Sequence, residues 1–371
     1  MIRRAFVFVA ALALFPALAS ATPACDGSGE NLMQWPENNP VWEFCWLRPD
    51  DSSGPRGSGL ELRDVYYNDI LVMKRAHAPM LNVEYDAGGC GCYRDWSYAE
   101  NDIRADNQVS PGFFEPTFDA ETVCDNSTSD SSPVGDCPWG GAGPCNEGVA
   151  ANSYAERLVM TTQYQAGWYR YTMRWIFHLD GRIEPQFGFG TANTSCSAAT
   201  HRHHNYWRID FDINGAADDQ VAQVGGDSPG VFSTEQDRTW ANGATWEITD
   251  QTTGRGYRLV PGEQDRRLPA DGYSKTDFMA SLYKSTELQD NDQGIGDCDV
   301  EVEDIVDGEG INGVDVVAWY RGGVQDVVSS DMYRCKTVGP TLVPIGDWSR
   351  PPVFEDSFES GDTAAWSSTV N

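Results

Sequence analysis

The chain has 371 residues, 22% of them charged and 12% aromatic, and a formal net charge of −30. So acidic a surface repels phosphate backbones and excludes nucleic acid as a partner; a cationic ligand would be drawn inward, although the same charge also serves solubility. The length suits one large domain or two ordinary ones. From the start, Met1 to Arg4 is a short basic region, Ala5 to Leu18 is apolar, and Ala19-Ser20-Ala21 supplies the small residues of a cleavage site. This is the pattern of a secretory signal peptide over residues 1–21. The apolar run is short for a bilayer span, and no later stretch is long and apolar enough to be one. The expectation is a secreted or periplasmic protein that begins near Thr22, its charge −32 once Arg3 and Arg4 are removed.

The ten cysteines all follow the leader, and an even number in an exported chain reads as disulfides. Cys90-Gly91-Cys92 is too tight for an ordinary local bridge, so each is expected to pair elsewhere. No CxxC pair occurs and no histidine is set among the cysteines, which argues against a zinc site.

Residues 22–58 read as an irregular, proline-rich segment. Beyond them Gly, Asp, Asn and Pro punctuate short alternating runs, and 3.6-residue periodicity is confined to Thr276 to Leu288. Strands are expected over Gly59 to Tyr67, Met80 to Tyr85, Leu158 to Tyr164, Tyr169 to Leu179, Ile183 to Phe189, Tyr206 to Ile213, Trp246 to Thr249, Gly256 to Val260 and Val314 to Trp319. Many such strands joined by turn-rich loops predict an all-β fold, a large β-sandwich. Residues 125–150 read as a loop tied by Cys124, Cys137 and Cys145. Residues 350–371 form an acidic, polar tail.

Two of these stretches carry the residues of chemical interest. In the first, Tyr169, Tyr171, Met173, Trp175 and Phe177 alternate along one strand face, and Asp180-Gly181 follows as a hairpin turn. In the second, His201 and His203 stand two residues apart, so on a strand both imidazoles project from one face and can reach one metal ion. His204 points the other way.

The order of these residues resembles the C-terminal catalytic domain of copper amine oxidases, which make a topaquinone cofactor from one of their own tyrosines. Tyr169 with Tyr171, Trp175, Phe177 and Asp180-Gly181 matches the precursor strand; His201-x-His203 with Arg208, Asp210 and Asp212 matches the copper strand; Asp315-Val316-Val317-Ala318-Trp319 looks like the late strand. Gly59 to Tyr67 resembles the domain's first strand. Cys90-Gly91-Cys92 and Val123-Cys124 are similar to its paired cysteine segments, which implies a bridge from Cys90 to Cys124. The resemblance runs over residues 59–349 and implies a divergent, shortened member of the family without the small domains that usually precede the sandwich.

Its functional implications are specific. Tyr169 would become a quinone that, with copper, oxidises primary amines to aldehydes with release of ammonia and hydrogen peroxide. His201 and His203 would hold the copper. The third copper histidine is expected seven residues after Trp319, where this chain has Asp326, an altered but chemically plausible ligand. Asp86, in Asp86-Ala87-Gly88, is the partial match to the family's catalytic base, and it stands closer to Cys90 than the family places it. Trp168 replaces the asparagine that precedes the precursor tyrosine. A calcium-type ion is implied at Asp210, Asp212 and Asp315, with the carbonyls of Phe211 and Val316, as carboxylate and carbonyl oxygens suit a hard cation. A homodimer is implied as in relatives. A second reading stays open: an exported, non-catalytic β-sandwich protein that keeps a metal site for structure or binding.

Overall fold

The computed structural model describes residues 23–47, 51–53, 60–86, 88–94, 149–166, 169–191, 195–196, 198–240, 242–262, 265, 276–287, 305–326 and 338–350. The side chains of 92–94, 150, 152, 163–166, 169–172, 189–191, 324 and 326 lie outside that description. So do residues 1–22 with the expected leader, Trp168, the expected loop with Cys124, Cys137 and Cys145, and the residues after Arg350.

Two nine-stranded sheets form a sandwich, as the alternating pattern predicts. In the first sheet β1 (Asn31–Trp35), β2 (Trp42–Leu47), β3 (Glu61–Tyr67) and β4 (Ile70–Tyr85) are successive antiparallel neighbours, and β5 (Cys92–Arg94) folds back along β4. The chain then crosses to the second sheet for β6 (Val149–Ser153), β7 (Arg157–Ala166), β8 (Tyr169–His178) and β9 (Ile183–Thr191). It returns with β10 (His201–Phe211), which lies between β4 and β17 (Val316–Asp326) in the middle of the first sheet. β13 (Gln236–Arg238) and β16 (Phe278–Leu282) complete that sheet beyond β17. β11 (Asp219–Val224), β12 (Gly230–Val231), β14 (Thr245–Asp250), β15 (Gly256–Val260) and β18 (Thr341–Ile345) complete the other.

Alternation decides what fills the space between the sheets. On β8, Met173, Trp175 and Phe177 are buried in the core, whereas Ile176 joins Val159 and Tyr154 in a small cluster of its own. Phe177 meets two side chains of β2: Phe44 stacks at 4.6 Å and Trp42 meets it edge-on at 5.2 Å. At another point Trp246 of β14 stacks on Phe278 of β16 at 4.6 Å, again one ring from each sheet. Such pairs add to the burial of their own area and fix the spacing of the layers.

The hairpin after β8 is held by side chains from both sheets. Trp42 Nε1 donates to the His178 carbonyl, Tyr67 Oη to that of Leu179, and Tyr257 Oη to that of Gly181. Gly181 has a φ of +88°, and an added Cβ would lie 2.7 Å from the Tyr67 ring. The Asp180-Gly181 turn is therefore demanded by packing as well as by backbone conformation.

Two segments differ from expectation. Residues 31–47 form β1 and β2, because apolar and aromatic residues lie between the prolines and turn residues that mark the segment, and β2 is buried along its whole length against β3. Phe278–Leu282 is a strand, not the start of a helix: β17 pairs it on one side and β13 on the other. A short apolar run has no periodicity that distinguishes a buried strand from a helix turn.

Because Phe177 is the ring shared by both sheets at this point, Phe177→Ala is expected to cost about 3–5 kcal/mol, read as a lower urea midpoint with an unchanged slope; a midpoint within error of wild type would contradict this account of the core.

Candidate functional site

β10 reads HRHHNYWRIDF, and every one of its residues is buried. Buried Arg, His, Asn and Asp are uncommon on a central strand, where polar groups need partners. The two faces use them differently. Arg202, His204 and Arg208 serve one face. Arg202 donates twice to Asp86 Oδ1 at 2.8–2.9 Å; Arg321, itself paired with Asp277, reaches His204 Nδ1 at 2.8 Å; and Arg208 Nε donates to the Glu287 carbonyl at 2.9 Å.

His201 and His203 belong to the other face, in step with Trp207, Ile209 and Phe211 of the inter-sheet core. Their ring centroids are 5.2 Å apart, and His203 lies 6.4 Å from Phe187 of β9, across the sandwich. His201 Nδ1 is 2.7 Å from the Ala199 carbonyl. A neutral imidazole in that contact carries its proton on Nδ1 and keeps the Nε2 lone pair, the arrangement that second-shell carbonyls impose on ligating histidines. Burial, partly offset by the Ala199 carbonyl, pushes His201 down to about 4. Burial, reinforced by His201 and His204, holds His203 well below the usual range. Both rings are neutral near pH 7, as metal ligation requires.

The neighbours of this pair are set by register. β10 is antiparallel to both flanking strands, with His201 directly opposite Tyr85 on one side and Asp326 on the other. The Tyr85 ring lies 5.5 Å from that of His201. Tyr169 opens β8 in the second sheet, opposite Ala166 and Thr191. Phe187 stands opposite Met173, and Tyr169 is four residues nearer the start of the same strand. Asp86 follows β4 and gives its carboxylate to Arg202, on the face turned away from His201 and His203. The structure thus brings the two imidazoles and the Asp326 position together, and holds the Asp86 carboxylate elsewhere.

A disulfide stands beside the histidines. It joins Cys90 to Cys196, with Cα atoms 5.5 Å apart, and not Cys90 to Cys124 as the resemblance implied. The return of β5 along β4 carries Cys90 to the end of β4, and the turn from Cys196 to Ala199 leads straight into β10. A second bridge, Cys25–Cys45, ties the N-terminal residues to β2.

At the far end of β10, roughly 26 Å along the strand from His203, a different group forms. Phe211 pairs with Val316, which places Asp210 and Asp212 beside Asp315. One oxygen from each of the three lies within 4.8 Å of the others, close enough to share an ion. Burial and mutual repulsion push Asp212 and Asp315 up to about 7. Asp219, at the start of β11, is pushed up to about 9 by burial and by Asp212 and Asp315.

Sequence reasoning missed Asp219 and also Asn205. Asn205 is fully buried on the His201 and His203 face, and neither end of its amide has a hydrogen-bond partner among the described residues. A signal for it existed, since His201, His203 and Asn205 repeat at i, i+2 and i+4. Asp219 had none.

No protein-family model and no curated protein matches the chain. Solved structures do. It is similar to a copper-containing benzylamine oxidase from Hansenula polymorpha, with a TM-score of 0.60 and 13% identity, covering 88% of this chain and 62% of that one. It is similar to the Pichia pastoris lysyl oxidase, with a TM-score of 0.54 and 16% identity, covering 82% and 52%. An Aspergillus nidulans amine oxidase gives 0.55 and 16%, covering 94% and 57%. The likeness is one of fold: this chain has the copper amine oxidase sandwich. It spans about half to three-fifths of the length of those chains.

An Asp whose pKa is raised in the folded state holds its proton more tightly folded than unfolded, so its contribution favours the fold at low pH and is lost as pH rises through the raised value. For Asp212, Asp315 and Asp219 that window runs from about pH 4, through about 7, to about 9. Melting temperature in chelator is expected to fall across it, and millimolar calcium to flatten the fall. A calcium-independent profile would contradict the grouping of these acids.

Proposed function

We propose that this chain is a secreted, divergent and shortened copper amine oxidase, in which His201, His203 and Asp326 hold copper and Tyr169 is the precursor of the quinone. The single observation that carries the reading is the pair of buried, neutral imidazoles 5.2 Å apart on the central strand, facing the second sheet. Two imidazole nitrogens with one carboxylate oxygen are a donor set that copper(II) accepts. Bound there, copper supplies one-electron chemistry with dioxygen, and the quinone supplies an electrophile for primary amines.

The chain's own residues have definable tasks in this reading. The Ala199 carbonyl fixes the His201 tautomer and so directs Nε2 toward the metal. The aromatic core around Phe187 and Trp207 keeps water from the site. Tyr169, on β8 of the opposite sheet, is the residue assigned to the quinone. Asp86 is the candidate base for the proton next to the amine nitrogen, and it must part from Arg202 to act. The net negative charge draws cationic amines toward the protein. Asp210, Asp212 and Asp315, with the Phe211 and Val316 carbonyls, are assigned a calcium-type ion of structural purpose. Export is supported by the leader pattern and two disulfides; among the described residues no helix is long and apolar enough to cross a membrane. A homodimer is the assembly this reading expects.

The Arg202 clamp on Asp86 favours a second reading, in which the same fold keeps the metal without turnover. The two separate in the purified protein loaded with copper(II) in air. A visible quinone band that reacts with phenylhydrazine, and is abolished in Tyr169→Phe and in His203→Ala, is the expected result. A colourless protein that binds copper but releases no peroxide from any primary amine would sink the enzymatic reading and leave the second.

A further inference from the structure

His201 is the first residue of β10, and a residue at a strand end has its backbone fixed on one side only. A ligand in that place depends on the segment that precedes it. The structure secures this segment across the end of the β4–β10 pair. Tyr85, the last residue of β4, stands opposite His201, and one step beyond them the Asp86 N–H donates to the Thr200 carbonyl at 2.9 Å. Cys90 lies five residues past Tyr85 and Cys196 five residues ahead of His201, and the two are joined. The bridge therefore closes the pair just beyond its ladder.

A short line of contacts runs from the bridge to the imidazole. Cys90 belongs to the inter-sheet core, and Cys196 packs against it. The Cys196 carbonyl accepts the Ala199 N–H at 2.9 Å, which closes a turn of four residues. The Ala199 carbonyl in turn lies 2.7 Å from His201 Nδ1. Ala199 thus hangs between two fixed points, Cys196 before it and Thr200 after it, and both aim its carbonyl. The hydrogen bond made at one ring nitrogen decides which of the two carries the proton of a neutral imidazole. If the Ala199 carbonyl drifts, His201 loses the acceptor that keeps its proton on Nδ1, and Nε2 loses its claim to the lone pair. Thr200 and Arg202 keep their own contacts with Asp86, so β10 holds its register either way. The turn from Cys196 to Ala199 is the part that depends on the bridge.

We propose that the Cys90–Cys196 bridge is a positioning element for the metal ligand His201, fixing its tautomer through the Ala199 carbonyl. This rests on the reading of His201 as a ligand, although the tautomer itself does not require the metal. The second bridge supplies the contrast, since Cys25–Cys45 ties the N-terminal residues to β2 and lies outside this line of contacts.

The test uses the full exported chain with isotopically labelled histidine, stripped with EDTA. Long-range proton–nitrogen spectra report the His201 tautomer, and chelator competition then reports copper(II) affinity. Wild type is expected to show the Nδ1-protonated form. Cys90→Ala/Cys196→Ala is expected to show both forms and to bind copper(II) about ten-fold more weakly, whereas Cys25→Ala/Cys45→Ala keeps the wild-type tautomer and an affinity within about two-fold. Ala199→Pro removes the N–H that reaches Cys196, leaves both bridges intact, and is expected to match the first variant. An unchanged His201 signal in the Cys90/Cys196 variant or in Ala199→Pro would overturn the proposal. An equal shift in the Cys25/Cys45 variant would show general loosening and overturn it too, as would a Cys90/Cys196 variant that does not fold. A wild type that binds no copper, with a tautomer that still follows the bridge, would remove the proposed enzyme and leave the positioning of His201 standing.

Discussion

β10 is buried on both faces and paired on both edges, and the rest of the molecule is arranged around that constraint. A strand in such a position has no solvent to which it can offer a polar side chain. Seven of its eleven residues are nonetheless polar. On one face three of them find partners supplied by other segments: Asp86 for Arg202, Arg321 for His204, the Glu287 carbonyl for Arg208. Arg208 also lies over the rings of Tyr283 and Trp319, which accounts for a guanidinium with no exposed surface. On the inter-sheet face the polar residues collect at the start of the strand and the apolar ones at its end. That division makes room for chemistry at one end of the sandwich without loosening the other.

The same strand carries both candidate ion positions, and its rigidity relates them. The imidazoles lie near the Cys90–Cys196 bridge; the acids lie where β10 leaves the sheet and the chain turns toward β11. Each end also draws on the opposite sheet, through Phe187 near His203 and through the Gly313 N–H that donates to the Asp219 carbonyl. The sandwich is therefore closed by its core in the middle and by polar chemistry at its two ends.

Much of the architecture was legible from period-two alternation, because a half-buried sheet imposes that pattern wherever it packs. Strands β7 to β9, β14 and β15 fall almost where their alternation puts them. The pattern fails where a strand is buried on both faces, as in Phe278–Leu282, and where prolines interrupt it, as around β1 and β2. Within the site, the shared face of His201 and His203 follows from spacing alone. Partners from distant segments do not: nothing in the sequence joins Arg202 to Asp86 or Cys90 to Cys196, since those pairings depend on which strands become neighbours. Asp219 was hidden for another reason. In a chain with 56 acidic residues an aspartate is not conspicuous by type, and only its burial sets it apart.

The Cys90–Cys196 bridge has a consequence for when the histidines become usable. It encloses a loop of about a hundred residues, which in chain-entropy terms restricts the unfolded state by about 4–5 kcal/mol, and it fastens the entry of β10 to the end of β4. Before oxidation, the segment that aligns His201 with its Ala199 carbonyl lacks that fastening. Thiol status at Cys90 and Cys196 is thus linked to how firmly the entry of β10, and with it His201, is held.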